Sequence, residues 1–351
     1  MREESPAQAV QIGDPITQRK LYEFLVEARD AGLFRAVTDN GAGGLSSSVG
    51  EMCTLSGGAE VDLTEAPLKY EGLQPWEIFL SEAQERMTLA VPPEKWKAFA
   101  TLARRRDVEV ARLGHFTGSG QLRIWYQGRL YGALALEFLH EGCPRMEIPA
   151  VWSAPRVAAP PPLPEGDCPE WVVRVLEALN IRSTEEKSRM YDGEVKGLSV
   201  VKPYVGVRSD VPSDATVIRV EYGEHEGIAL AEGVNPFLSD LDTYAMAASV
   251  VDEGARRIVS VGGRWDQIAG LDNFCWPDPV LSEGTPDGPY KMAQLVRANQ
   301  ALYDVCVAYG IPLISGKDSM KNDSVRGGRK ISIPPPCYFR RLENWTMCER
   351  Q

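Results

Sequence analysis

Residues 153–167 read SAPRVAAPPPLPEGD, and a stretch like this cannot run through the middle of a helix or a central strand. Each proline fixes φ and removes a backbone donor, so the segment should form a semi-rigid, polyproline II-like connection. The chain is therefore expected to fold as two bodies, and its 351 residues are enough for two cores of ordinary size. The expected division is 1–152, then a linker and helix at 153–190, then 191–336, with 337–351 set apart as a tail.

Both sides of the linker read as mixed α/β (α+β), with helices covering sheets. Pro15–Arg29 has helical period, with Leu21, Phe24, Leu25 and Ala28 on one face. Helices are also expected at Ser46–Met52, Pro75–Leu80 and Pro93–Arg105. Strands are expected at Phe34–Thr38, Glu60–Leu63 and Arg86–Val91, with a strand pair (Leu122–Tyr126, Leu130–Ala133) around Gly128. Beyond the prolines, helices are expected at Trp171–Leu179, Thr243–Val259 and Tyr290–Tyr309. Strands are expected at Ser199–Val207, Ala215–Val220 and Ile311–Ile314, the last followed by a turn over Ser315–Ser319.

Composition removes several function classes. Seven cysteines lie scattered without a C-x-x-C pair, as in reduced cytoplasmic thiols rather than a disulfide framework or zinc site. Three separated histidines (His115, His140, His225) make a histidine metal cluster a poor expectation. A net charge of −11 opposes nonspecific nucleic-acid binding. No apolar run reaches the ~18–20 residues that span a bilayer, and MREESPAQAVQIGDP lacks the apolar core of a secretion signal. The expectation is a cytoplasmic protein without membrane or nucleic-acid partners. No G-x-S-x-G elbow is present.

Four polar constellations remain, three of them with two readings. Thr38–Ser48 (TDNGAGGLSSS) joins a strand end to a helix start. Its glycines suit a phosphate or Mg²⁺ site with Asp39 as ligand, or equally a turn capped by Asp39 or Ser46. Leu80–Met87 (LSEAQERM) reads on residue type alone as a solvated loop with one salt bridge. Ser315–Asp323 (SGKDSMKND) is either a polar hairpin or a phosphate site using Lys317, Asp318 and Ser319. Asp252–Arg257 (DEGARR) reads as an exposed helical face with a Glu253–Arg257 pair, Mg²⁺ ligation by Asp252 or Glu253 being the alternative. Residue chemistry by itself stops at an α/β protein with a possible phosphate site.

In order, the blocks AVQIGDP, TDNGAGGLSSSVGEM, GGAEVDL, PLKYEGLQPWEIFLSEAQERM, YDGEVKG, VVKP, NPFLSDLDTYAMAASVVDEGARR, LDNFCWP and GKDSM resemble phosphoribosylformylglycinamidine synthase, up to about Pro335. The resemblance implies two PurM/AIR synthetase-like subdomains. A C-terminal-type subdomain of the family's first half is followed by an N-terminal-type subdomain of its second, making the chain an internal fragment. It also implies ATP and Mg²⁺ as cofactors and formylglycinamide ribonucleotide as substrate. ATP activates the formyl-amide oxygen as an iminophosphate, and ammonia from a glutaminase domain or subunit displaces phosphate to give the amidine. The missing halves of the synthase, or a second copy, are implied as partners.

By position, the resemblance assigns substrate contacts to Gln11, Glu82, Ala83, Gln84 and Ser319, with Ala83 standing where the family usually has Ser. Gly316, Lys317 and Asp272 take the nucleotide. Lys317 replaces a metal-binding Asn, and Asp272 stands two residues beyond Gly270, where an ATP-contacting Asp is common. Asp39 is implied as a Mg²⁺ ligand, and Glu253 as a ligand of an auxiliary nucleotide site whose partner Asn is here Arg257. No histidine occupies the family's catalytic context, so no catalytic residue is assigned and no amidine synthesis by the chain alone is expected. A non-catalytic nucleotide-binding or interaction module is the alternative. Selenophosphate synthetase and thiamine-monophosphate kinase, of the same superfamily, fit LSEAQERM and GKDSM less well. Reading the back-translated codons from Cys337 two bases later permits LFSxxGKLDDVR, similar to the family's continuation. Cys337–Gln351 is therefore expected to be a frameshifted tail that packs poorly.

Overall fold

A computed structural model of the chain describes residues 13–68, 71–155, 166–179, 181, 183–191, 193–335 and 337–346. Gln11 lies outside them. The chain divides into two units, Met1–Arg145 and Met146–Gln351.

The first unit contains α1 (Pro15–Asp30), β1 (Ala36–Asp39), α2 (Leu45–Ser56), β2 (Ala59–Asp62), α3 (Pro75–Leu80), β3 (Met87–Ala90), α4 (Trp96–Arg105), β4 (Gly114–Phe116), β5 (Gln121–Tyr126), β6 (Arg129–Ala135) and α5 (Leu136–Glu141). The apolar stripe of α1 meets α4, burying Phe24 and Ala28 against Phe99, Leu102 and Ala103. Phe24 and Phe99 pack edge to face at 5.0 Å. A second core joins Leu45, Val49 and Cys53 of α2 and Ile78 and Phe79 of α3 to a sheet of order β4-β2-β5-β6. β1 pairs antiparallel with β3, setting Asp39 opposite Met87. This two-stranded ribbon brings the glycine-rich loop after β1 beside the loop before β3.

The second unit contains α6 (Cys168–Glu177), α7 (Glu185–Met190), β7 (Ser199–Val201), β8 (Tyr204–Val205), β9 (Val211–Pro212), β10 (Thr216–Arg219), β11 (Glu226–Val234), α8 (Thr243–Ser260), β12 (Ala269–Cys275), α9 (Gly288–Tyr309), β13 (Leu313–Ser319), β14 (Asp323–Arg326), β15 (Arg329–Ser332) and β16 (Cys337–Thr346). Six strands make one sheet of order β13-β12-β16-β11-β10-β7. Met246, Val250, Val251 and Ile258 of α8 and Ala298 and Leu302 of α9 close its core over Val217, Ala229, Ala231, Phe274 and Phe339. Residues before the prolines dock here too. Val151 N–H donates to Pro289 O at 2.9 Å, and Trp152 stacks on Tyr290 at 5.5 Å with Arg297 4.3 Å above its ring.

Three expectations are corrected. Cys337–Thr346 is not a loosely packed tail: it pairs antiparallel with both β11 and β12, and Cys337 and Phe339 are fully buried. Without it the ladder groups of β11 and β12 would lack partners, and the alternation of Cys337 and Phe339 supplies the inward face. Ser315–Ser319 is not a turn. β13 continues through it in parallel register with β12, and the chain reverses only after Ser319. The expected strand Ser199–Val207 is also broken between β7 and β8, at Lys202-Pro203.

Candidate functional site

In the first unit, the polar residues gather around the loop between β1 and α2. Asp39 ends β1 as an exposed carboxylate whose Oδ1 accepts the Gly41 N–H at 2.8 Å. Gly43 N–H donates to Glu82 Oε1 at 3.0 Å, across 39 residues of sequence. Ser46 Oγ donates to Gly43 O at 2.7 Å, and α2 begins without a side-chain cap. Two carboxylates therefore hold two N–H groups of one glycine loop. With Glu82 already on Gly43, this loop presents acceptors outward. It suits a cation or a hydroxyl or amide donor better than a bare phosphate.

Behind the loop lies a polar ladder. Asn40 is buried and its Oδ1 accepts from Thr88 Oγ1 at 2.8 Å, while Thr88 and Ser48 hydroxyls pair at 2.9 Å. The Glu82–Ala83–Gln84 triplet follows α3. Ala83 N–H donates to Ser81 Oγ at 3.3 Å and Gln84 Nε2 to Glu82 O at 3.2 Å, leaving Glu82 and Gln84 exposed. The expected salt-bridged loop is not what forms. Arg86 Nε donates to Ala83 O at 3.1 Å and its terminal nitrogen to Ser81 O, so its partners are carbonyls. Burial lowers the guanidinium's pKa from its usual value. Glu85 adopts a left-handed φ of 54° and accepts Asp14 N–H at 3.2 Å. Neither role has a sequence signature, because the partners are backbone atoms.

In the second unit, parallel register sets Asp272 beside Gly316, Asn273 beside Lys317 and Cys275 beside Ser319. Alternation along the strands puts Asp272 and Gly316 on the face of Phe274, the helix-covered side, and Lys317 and Ser319 on the other. The three nucleotide residues expected from sequence are thus adjacent along the ladder but divided by the sheet. A Cβ at Gly316 would stand 2.9 Å from Asp272 Oδ1, so a larger residue there would turn the Asp272 carboxylate aside. At Gly270 a Cβ would stand 3.0 Å from Phe339 Cε2, so a larger residue would displace that ring. Burial, with the Asp318 carboxylate nearby, holds Asp272 above the usual carboxylate range. Lys317 Nζ donates to Ser319 Oγ. On that same face Asn273 Oδ1 is buried without a partner among the described residues.

Glu253 lies on α8 and does not fit a metal. Arg257 meets Oε1 at 2.6 Å and Val234 N–H donates to Oε2 at 3.2 Å, while Arg257 also donates to Glu232 O at 2.9 Å. Both carboxylate oxygens close an internal clip between α8 and β11. Among the described residues, no three His, Cys, Asp or Glu side chains group to hold a metal. A cation at Asp39 would therefore complete its shell from water or ligand oxygens, as Mg²⁺ commonly does. No described helix is long and apolar enough to cross a membrane.

Residues 1–127 match the family model described as AIR synthase related protein, C-terminal domain. Over 329 residues, 93% of its length, the chain is 31% identical to the phosphoribosylformylglycinamidine synthase subunit PurL of Thermoplasma acidophilum, of which it spans 42%. It resembles T. maritima PurL complexed with FGAR at a TM-score of 0.72 and 25% identity, covering 98% of this chain and 51% of that one. T. maritima PurL complexed with ATP gives 0.70 and 26%, covering 96% and 51%.

Proposed function

We propose, from the premise that this is a PurL-like chain of the phosphoribosylformylglycinamidine synthase family spanning about two fifths of its curated relatives' length, that it carries part of that enzyme's binding surface. The reaction converts formylglycinamide ribonucleotide, ATP and glutamine-derived ammonia into formylglycinamidine ribonucleotide, ADP and phosphate. One observation carries the reading for the first unit. The Gly43–Glu82 hydrogen bond gathers Asp39, Glu82, Ala83 and Gln84 around one loop although they lie in two separate motifs. Its exposed acceptors suit the hydroxyl and amide donors of the ribonucleotide.

In this reading Glu82 and Gln84 orient the substrate, with Ala83 O and its neighbours fixed from behind by Arg86. Asp39 would hold Mg²⁺, which supplies charge neutralisation for the transferred phosphoryl group. Gln11 belongs to the same assignment, outside the described residues. In the second unit, Lys317 offers a point charge for phosphate and Ser319 a hydroxyl on one face of the sheet, while Gly316 and Asp272 lie on the other, helix-covered face and are left out of that contact. Glu253 is left out as a ligand because Arg257 and Val234 occupy it. A glutaminase as ammonia source and a cytoplasmic location, compatible with the free thiols of Cys53 and Cys337, complete the proposal. No catalytic histidine is assigned, and no amidine formation by this chain alone is expected.

Calorimetric titration of the chain with formylglycinamide ribonucleotide, with and without Mg²⁺·ATP, tests this. Binding that weakens about tenfold or more in Glu82→Gln is expected, from loss of a charged hydrogen-bond partner. Unchanged affinity in Glu82→Gln and Gln84→Ala, or turnover by the pure chain with ammonium, overturns the corresponding assignment.

A further inference from the structure

We propose that Arg86 is the positioning residue of the Glu82–Ala83–Gln84 loop, one residue that holds both sides of the first-unit site. This deepens the substrate reading above and rests on it only for its functional consequence. The local problem is a sharp one. α3 stops at Leu80, Ser81 leaves the helix at φ −59°, ψ 130°, and the chain must enter β3 at Met87. The end of a helix leaves carbonyls without partners, and residue 85 must take a left-handed φ of 54° to complete the reversal. Glutamate at such an angle is strained, so something outside the loop must determine its path.

Arg86 supplies that. Its planar fork spans two carbonyls, Ser81 O and Ala83 O, and so fixes the separation of the residues flanking Glu82. The same Ser81 carbonyl is the surface on which Gly44 packs, since a Cβ at Gly44 would lie 2.9 Å from Ser81 C. The main chain of Arg86 acts on the opposite side, where its carbonyl accepts Asn40 N–H at 3.2 Å, next to Asp39. Side chain and backbone of one residue therefore tie the triplet to the glycine loop. Glu85 adds a second tether by accepting Asp14 N–H at 3.2 Å. A lysine has all its donors on one nitrogen and cannot set two of them as far apart as the Nε and terminal nitrogen of Arg86, and a methionine would fill the volume with no donor.

Hydrogen–deuterium exchange of the full chain decides between positioning and filling. In Arg86→Met, peptides carrying the Gly43 and Ala83 amides should exchange about tenfold faster, the effect of losing a charge-assisted hydrogen bond. Peptides of α1 and α4 should stay at wild-type rates, and Arg86→Lys should fall between Met and wild type. Wild-type rates in folded Arg86→Met overturn the proposal. Should Arg86→Met fail to fold, Arg86→Lys alone decides, and wild-type rates there overturn it equally. Formylglycinamide ribonucleotide should slow exchange at residues 82–86 in wild type and not in Arg86→Met. No slowing in wild type counts against the substrate reading, while the ligand-free arm still judges Arg86.

Discussion

Replacing Gly44 by alanine measures how tightly the glycine loop is seated on the end of α3. Gly44 has φ 58° and ψ −131°, a region that only glycine occupies without strain. Imposing it on alanine costs about 1–3 kcal/mol. The new methyl would also overlap the Ser81 carbonyl oxygen and lie 2.9 Å from Ser81 C and 3.1 Å from Leu80 C. All three atoms are backbone and cannot rotate away, so overpacking adds roughly another 1–3 kcal/mol. Gly43→Ala is the control. It shares a positive φ of 81°, but its nearest neighbour is Ser46 Oγ at 3.2 Å, the end of a side chain that can turn. Its cost should stay near the conformational figure alone, about 1–2 kcal/mol. Gly44→Ala should therefore exceed Gly43→Ala by about 2 kcal/mol, a large share of the roughly 5–15 kcal/mol that holds a domain together. Peptide-resolved hydrogen exchange in rising urea separates the two units and reads this difference from α2 and β1. A gap below about 0.5 kcal/mol, within the scatter of single surface changes, would refute the seating of Gly44 on Ser81.

Asp272 gives a pH signature. Burial and then Asp318 raise its folded pKa above the ordinary 3.8, so folding favours the protonated acid. The protonated form's advantage is complete below the unfolded value and disappears as pH rises through the folded one. Asp272→Asn should raise the melting temperature at pH 7 and not below about pH 3.8; a gain of equal size at both would sink the argument. The Glu253–Arg257 clip is half exposed, so Glu253→Ala should cost only about 1 kcal/mol, the same with and without Mg²⁺. A Mg²⁺-dependent stabilisation of wild type that vanishes in Glu253→Ala contradicts this. Trp152→Ala removes the stack on Tyr290 and the Arg297 contact, worth about 1–2 kcal/mol. Limited proteolysis should then cut residues 146–155 faster while the β11–β16 core keeps its protection; equal cutting rates tell against the docking.

What the sequence revealed about the fold follows from side-chain size. Helices α1 and α8 were legible because apolar residues recur at helical spacing, whereas the boundary between the units, at Arg145–Met146, falls before the proline stretch because Val151 and Trp152 dock on the second unit. β11 escaped because its inward residues are small. Gly227, Ala229, Ala231 and Gly233 face a helix that lies very close, and a Cβ at Gly233 would stand 2.9 Å from Val250 C. Small residues let α8 approach but erase the hydrophobic alternation that identifies a strand. β12 was hidden for a related reason, with Gly270 under Phe339 and Asp272 interrupting the inward face. β13 looked like a turn because it is an edge strand. Its residues Gly316, Lys317 and Asp318 are exposed, so no burial pattern constrains their order.

The site divides the same way, and the division explains which residues a motif can reveal. Asp39, Glu82 and Gln84 point outward, so their chemical type is what a ligand meets, and that type is written in the sequence. Arg86 points inward to carbonyls that any residue at positions 81 and 83 would provide. Its partners leave no trace in residue identity, and so it read as one more charge on a solvated loop. In the second unit the ambiguity has another source. A charged residue such as Lys317 on an exposed edge strand also blocks pairing with another sheet, so the same lysine answers two physical demands at once. Its assignment to phosphate therefore needs more than its charge and place. The contact with Ser319 supplies the extra weight, since it sets a hydroxyl beside the ammonium on one face of the strand; two converging donors suit an anion, whereas a strand shaped only to repel neighbours needs the charge alone.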